Sequence, residues 1–191
     1  MSISNVLILH GCPFDAEMAM DPQSRTYDKH WLPWLRDRLV SGGLKAVMPL
    51  MPSPWQPDYE KFKIEIEKNS VTPETVLVGH SCGCAFFVRW LGETKRQVGK
   101  LILVAPWKIP DRSNLASVAF YSYDIDRTIK DRVGEVVIFT SDNEERDGKL
   151  SVRLFHDSLG GRIIELPGRG HYTQGDMGTV EFPELLREII P

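Results

Sequence analysis

VLVGHSCGCAFFVRW (residues 76–90) joins a strand-like apolar run, VLV, to a helix-like run, CAFFVRWL, through a turn that carries Ser81. Residues Gly79, His80, Ser81, Cys82 and Gly83 spell G-x-S-x-G. A serine on a sharp strand-to-helix turn exposes its hydroxyl above the sheet. Strained backbone and close packing there leave little room for side chains two residues to either side. Three fixed residues at ~7% each arise by chance in about 6% of chains this long, so the setting decides. Here a strand ends directly before the motif and a helix starts directly after it. The plainer alternative makes Ser81 an N-cap.

Working outward, short apolar runs alternate with amphipathic stretches. Strands are predicted over 6–9, 44–49, 76–78, 101–104, 136–140 and 162–166, each rich in Val, Ile and Leu without strict alternation. That pattern fits strands covered on both faces. Helices are predicted between them: one with Pro33 at its first position and ended by Gly42-Gly43, then 58–68, 82–91, 150–159 and 184–190, the last opened by Pro183. Strand–helix alternation implies βαβ units and a parallel sheet. The stretch 107–133 breaks the rhythm and is expected to form a cap-like excursion with short helices. At 191 residues the chain is expected to be a single domain, 1–191.

A nucleophilic serine needs a base. Of five histidines, His30 and His156 fall in predicted helices, and His80 sits in the variable position of the motif, pointing away from the hydroxyl. His10 ends the first strand and could shape a pocket. His171, in LPGRGHYTQGD after the last strand, suits the chain order Ser, acid, His and is the expected base. The acid should follow the fifth strand, in TSDNEERDG. Glu144 and Asp142 compete: spacing favours Glu144, residue type favours Asp142. One oxyanion donor is expected from the Cys82 N–H. The other is expected from the loop LHGCPFD, where Gly11 permits close approach, Pro13 cannot donate and Cys12 can. Oxidation at either thiol would then be expected to block acylation, unless both cysteines are simply small buried hydrophobes. Trp55, Trp107, Phe120 and Tyr121 are candidate pocket walls, with His10.

The bulk properties narrow the classes. Net charge is −3 with Lys and Arg scattered, which gives no footprint for nucleic acid or a membrane surface. No apolar run approaches the roughly 20 residues of a membrane span. MSISNVLILHG has neither a basic leader nor a long apolar region, and three cysteines without a CxxC pair read most simply as reduced thiols. A cytoplasmic location is expected on both grounds. No metal or cofactor is expected: Cys82 and Cys84 lack partners at ligand spacing, and no P-loop or dinucleotide fingerprint occurs.

Taken together, the first strand with HGCP, then HWLPWLRDRL, MPLMPSPWQPDYEKF, GHSCG, LILVAP, TSDNEE and GRGHY resemble the small serine hydrolases of the α/β-hydrolase superfamily, the family that includes retinoblastoma-binding protein nine. The resemblance runs end to end. It implies an α/β-hydrolase-like three-layer sandwich, a six-stranded parallel sheet ordered 2-1-3-4-5-6 with helices on both faces. By position it places the triad on Ser81, Glu144 and His171. The family's acid is usually an aspartate followed by proline, and Glu144-Glu145 departs from that. The retinoblastoma-binding label does not carry over, because the L-x-C-x-E pattern is missing.

The expected activity is hydrolysis of a small ester, thioester or amide through an acyl-enzyme on Ser81, with a small acyl compound as partner. The rivals are a catalytically silent binding module on the same scaffold and a flavodoxin-like cofactor binder.

Overall fold

The computed structural model describes residues 3–13, 16, 21 and 30–190. Phe14 and Asp15, the end of LHGCPFD, lie outside the described residues. The elements run β1 (Asn5–Leu9), α1 (Trp31–Ser41), β2 (Lys45–Val47), α2 (Tyr59–Glu67), β3 (Thr75–His80), α3 (Cys82–Thr94), β4 (Val98–Val104), α4 (Leu115–Tyr121), a 3-10 turn (Arg127–Asp131), β5 (Val133–Ser141), α5 (Arg146–Leu159), β6 (Arg162–Leu166), α6 (Gln174–Met177) and α7 (Pro183–Ile189). The six strands form one sheet in the order β2-β1-β3-β4-β5-β6, every pair parallel. The expected sheet is the observed one.

Alternate strand residues feed two cores. Leu7, Leu9, Leu77, Leu101, Leu103 and Ile138 face one side, with Phe62 and Ile66 of α2, Phe86 and Phe87 of α3 and Phe155 of α5. Val6, Ile8, Val76, Val78, Ile102, Val104 and Phe139 face the other, with Trp31, Leu35 and Leu39 of α1 and Leu185 and Ile189 of α7. A period of two on a strand buried on both faces requires apolar residues at every position, hence the unbroken runs. Each large side chain so buried contributes about 1.5–3 kcal/mol.

Several boundaries differ from expectation; β4 and β5 each begin three residues earlier, at Val98 and Val133. β2 is three residues long rather than the six of 44–49; Pro49 has no N–H to give to a strand ladder. α1 begins at Trp31, so Pro33 stands third rather than first. The first-turn N–H groups have no intrahelical acceptor, so proline is tolerated there too. Helix α5 starts at Arg146, a turn before the predicted 150. The excursion 107–133 holds α4 and the 3-10 turn, capped by Asn114 and Asp126 side chains. No helix among the described residues is long and apolar enough to cross a membrane.

Candidate active site

Ser81 has φ 53° and ψ −117°, and although it precedes α3 its side chain caps nothing. The N-cap alternative therefore fails. The glycines around it are enforced by contact: a Cβ on Gly79 would lie 2.8 Å from the Cys84 nitrogen, and one on Gly83 would lie 2.8 Å from the Leu9 carbonyl oxygen. Both clashes are with backbone, so helix α3 can start this close to β1 and β3 only if these positions carry no side chain.

The hydroxyl meets an imidazole. Ser81 Oγ lies 2.9 Å from His171 Nε2, and His171 Nδ1 lies 3.0 Å from Glu144 Oε2. The network assigns the proton on Nδ1 to the carboxylate and leaves Nε2 to accept from the hydroxyl. Glu144 is 5% exposed, and its second oxygen accepts the Glu145 N–H at 2.8 Å. It fits because α5 has a glycine facing it: a Cβ on Gly148 would sit 2.6 Å from Glu144 Cδ.

The choice between Glu144 and Asp142 comes from how the loop after β5 grips the loop after β6. Asp142 Oδ1 accepts the Gly168 N–H at 2.7 Å, Ser141 Oγ the Arg169 N–H at 2.8 Å, and Asn143 Oδ1 the Gly170 N–H at 2.8 Å. Glu144 then reaches His171. Asp142 is thus a loop clasp on Gly168, three residues before the imidazole of His171, and the Gly168 N–H holds its carboxyl below the usual aspartate range. The His171 loop is pinned elsewhere as well. Asp176 Oδ2 accepts the His171 N–H at 3.0 Å, the Tyr172 hydroxyl donates to the Thr140 carbonyl at 2.6 Å, and Trp31 Nε1 donates to the Tyr172 carbonyl at 3.1 Å.

His80 and His30 stand closer to the site than expected. His80 is buried, and its Nε2 lies 2.9 Å from the His171 carbonyl oxygen. Burial, and then the neighbouring His171, hold its imidazole well below the usual histidine range. His30 precedes α1 rather than lying within it, and its Nδ1 accepts the Gln174 N–H at 2.7 Å.

The thiols require a correction. Cys12 and Cys82, expected to be reduced, form a disulfide with their α carbons 5.7 Å apart; Cys84 is free and buried. One of the two grounds for a cytoplasmic location is thereby removed. The pairing had a sequence signal. His-Gly-Cys at 10–12 and His-Ser-Cys at 80–82 end two strands that pair in register, Leu9 against Gly79. Cys12 and Cys82 are therefore neighbours by the continuation of that ladder. As the first residue of α3, Cys82 has no intrahelical acceptor for its N–H, and the Cys12 N–H has no backbone acceptor among the described residues.

Of the expected pocket walls, Trp107 is at the site. Its ring meets that of His171 edge-on at 5.5 Å, and its backbone N–H donates to the Ser81 carbonyl at 3.2 Å. Trp55 is half-buried in the turn after Met51. His10 is not a wall: it is 1% exposed, accepts the Met51 N–H through Nε2 at 3.0 Å, and is held below the usual histidine range by burial. Phe120 packs edge-on against Phe62 in the core, 5.4 Å between centroids. Tyr121 lines a separate groove of about 700 Å³ with Lys108, Tyr123 and Arg127, which includes none of Ser81, Glu144 and His171. Among the described residues no group of three His, Cys, Asp or Glu side chains could hold a metal ion.

A sequence model of the serine hydrolase family matches residues 23–189. The chain belongs to the serine hydrolase family. It is 28% identical over 160 residues to YdeN of Bacillus subtilis, a protein named as a hydrolase, covering 81% of this chain and 83% of that one. The solved structure of the B. subtilis ydeN gene product superposes with a TM-score of 0.80 at 21% identity, covering 97% of this serine hydrolase and 96% of that chain. A YdeN-like protein from Pectobacterium atrosepticum gives 0.65 at 15% identity, with 97% and 89% covered. Est1E from Butyrivibrio proteoclasticus gives 0.62 at 12% identity, with 99% and 87% covered. These structures share the α/β-hydrolase fold with this chain.

Proposed function

We propose that this serine hydrolase cleaves a small ester, thioester or amide through an acyl-enzyme on Ser81. The observation that carries the reading is the unbroken hydrogen-bond chain from Glu144 through His171 to a serine held at positive φ. His171 takes the Ser81 proton as the hydroxyl attacks the carbonyl, then returns it to the leaving group. Glu144 orients the imidazole and stabilises its charged form. The Cys12 and Cys82 N–H groups donate to the oxyanion of the tetrahedral intermediate. Water, activated by His171, releases the acyl group. The Trp107 ring beside His171 favours an apolar or aromatic group next to the scissile bond. The atypical acid loop favoured a silent binding module, and the contact between Glu144 and His171 counts against that rival.

A fluorophosphonate probe tests the reading. One adduct on the native protein is expected and none on Ser81→Ala; equal labelling of both would refute it. Short p-nitrophenyl esters, acyl thioesters and aminopeptide substrates, each with Ser81→Ala as control, then resolve the substrate class.

A further inference from the structure

The disulfide joins the two residues whose amides are assigned to the oxyanion. Cys12 leaves the end of β1 and Cys82 opens α3, with α carbons 5.7 Å apart. The start of the Cys12 loop is held by hydrogen bonds and close packing, and Cys12 itself packs against the core. The His10 ring accepts the Met51 N–H and bonds the Gly11 carbonyl at 2.7 Å, and Gly11 lies against His80 and Ser81 with no side chain of its own. Helix α3, by contrast, is fixed by the core: Cys82, Cys84, Ala85, Phe86 and Phe87 are all buried. The bond therefore ties the donor on the loop after β1 to one on a rigid helix.

We infer that the Cys12–Cys82 disulfide is a positioning clamp that keeps the Cys12 N–H aimed at the oxyanion, and that its reduction slows turnover. This rests on the acyl-enzyme reading above. It reverses the expectation that oxidation blocks acylation, because disulfide formation engages the two sulfurs and leaves both amides available. The disulfide form already holds Ser81, His171 and Glu144 in hydrogen-bond contact.

Reduction by an external dithiol is balanced as follows. A dithiol thiolate attacks Cys12 Sγ, since Cys12 is half-buried whereas Cys82 is 1% exposed. The Cys12–Cys82 bond breaks and Cys82 leaves as a thiolate. The second dithiol sulfur then displaces Cys12 and closes the cyclic disulfide. Two electrons pass to the protein, and both protein sulfurs end as thiols or thiolates. Cys82 is released at the N-terminus of the 13-residue helix α3, where the macrodipole favours negative charge. A thiolate there also repels the oxyanion. In a reducing compartment the bond would form only transiently, which suits a redox-sensitive enzyme.

The test compares the oxidised protein with protein treated with dithiothreitol, using a p-nitrophenyl ester. Thiol titration under denaturation should count one thiol before and three after. On reduction kcat should fall roughly 10- to 100-fold, short of the full loss of one oxyanion donor at about 10²–10³. KM should stay within about twofold, and reoxidation should restore turnover. Cys12→Ala should start at the reduced level and ignore the dithiol. Equal kcat for the two forms, or three thiols persisting after oxidation, would overturn the clamp. So would a loss of kcat that merely follows loss of helix in the far-ultraviolet spectrum. A fluorophosphonate adduct on oxidised protein that shows no redox effect sinks the clamp alone; no adduct at all sinks the acyl-enzyme reading instead.

Discussion

The imidazole of His80 and the backbone carbonyl of His171 are 2.9 Å apart, so the residue before Ser81 holds the loop that carries its partner imidazole. His80 Nδ1 is buried with no partner among the described residues, which puts the proton on Nε2, where it donates to the carbonyl. His80→Ala should release the carbonyl and lower kcat about tenfold with a smaller change in KM, in line with about 1–3 kcal/mol for a buried group left unpaired. His80→Gln, which can still donate, should recover part of the loss. Steady-state kinetics of the two variants decides it, and equal losses would contradict a positioning role.

Glu144 and Asp142 should separate cleanly. Glu144→Gln removes the charge that holds Nδ1–H and should cost about 10²–10⁴ in kcat. Asp142→Asn keeps an acceptor for the Gly168 N–H and should cost no more than about threefold. Measuring kcat/KM for both is sufficient, and a larger loss at Asp142 would move the acid.

Gly148→Ala should damage the site from behind. The added Cβ would lie 2.6 Å from Glu144 Cδ, so the carboxylate must move or the helix must shift. We expect destabilisation of about 1–3 kcal/mol, as for other overpacked interiors, together with lower kcat. A thermal melt paired with an activity assay checks it. Unchanged activity would mean that Glu144 has room to spare.

Acid should weaken the fold through its buried histidines. Burial pushes His30 down to about 4 from 6.5, and His80 is lowered as well. The unfolded chain takes up protons below about pH 6.5 while folded His30 resists until about pH 4. Stability is therefore full above that window and falls as pH drops through it, by about 3 kcal/mol for His30. Urea midpoints at pH 7, 5.5 and 4 should fall in that order, and His30→Asn should flatten the slope. Constant midpoints would show these imidazoles to be solvated.

The layout of the fold was legible because buried parallel strands must be apolar throughout and the helices between them amphipathic. Ser81 and His171 stood out because a strained turn and a terminal glycine-rich loop mark themselves locally. Boundaries at β2 and α1 were less legible, since proline acts through which N–H groups its neighbours need.

What the chain alone determined is a parallel α/β sheet and a serine displayed on a turn between β3 and α3. Tertiary structure decided the rest. Asp142 and Glu144 are both plausible acids in sequence; only the grip of residues 141–143 on Gly168, Arg169 and Gly170 brings Glu144 to His171. Cys12 and Cys82 stand 70 residues apart, and only strand register makes them neighbours. Hydrogen bonds and disulfides depend on where atoms meet in space, which local patterning does not specify.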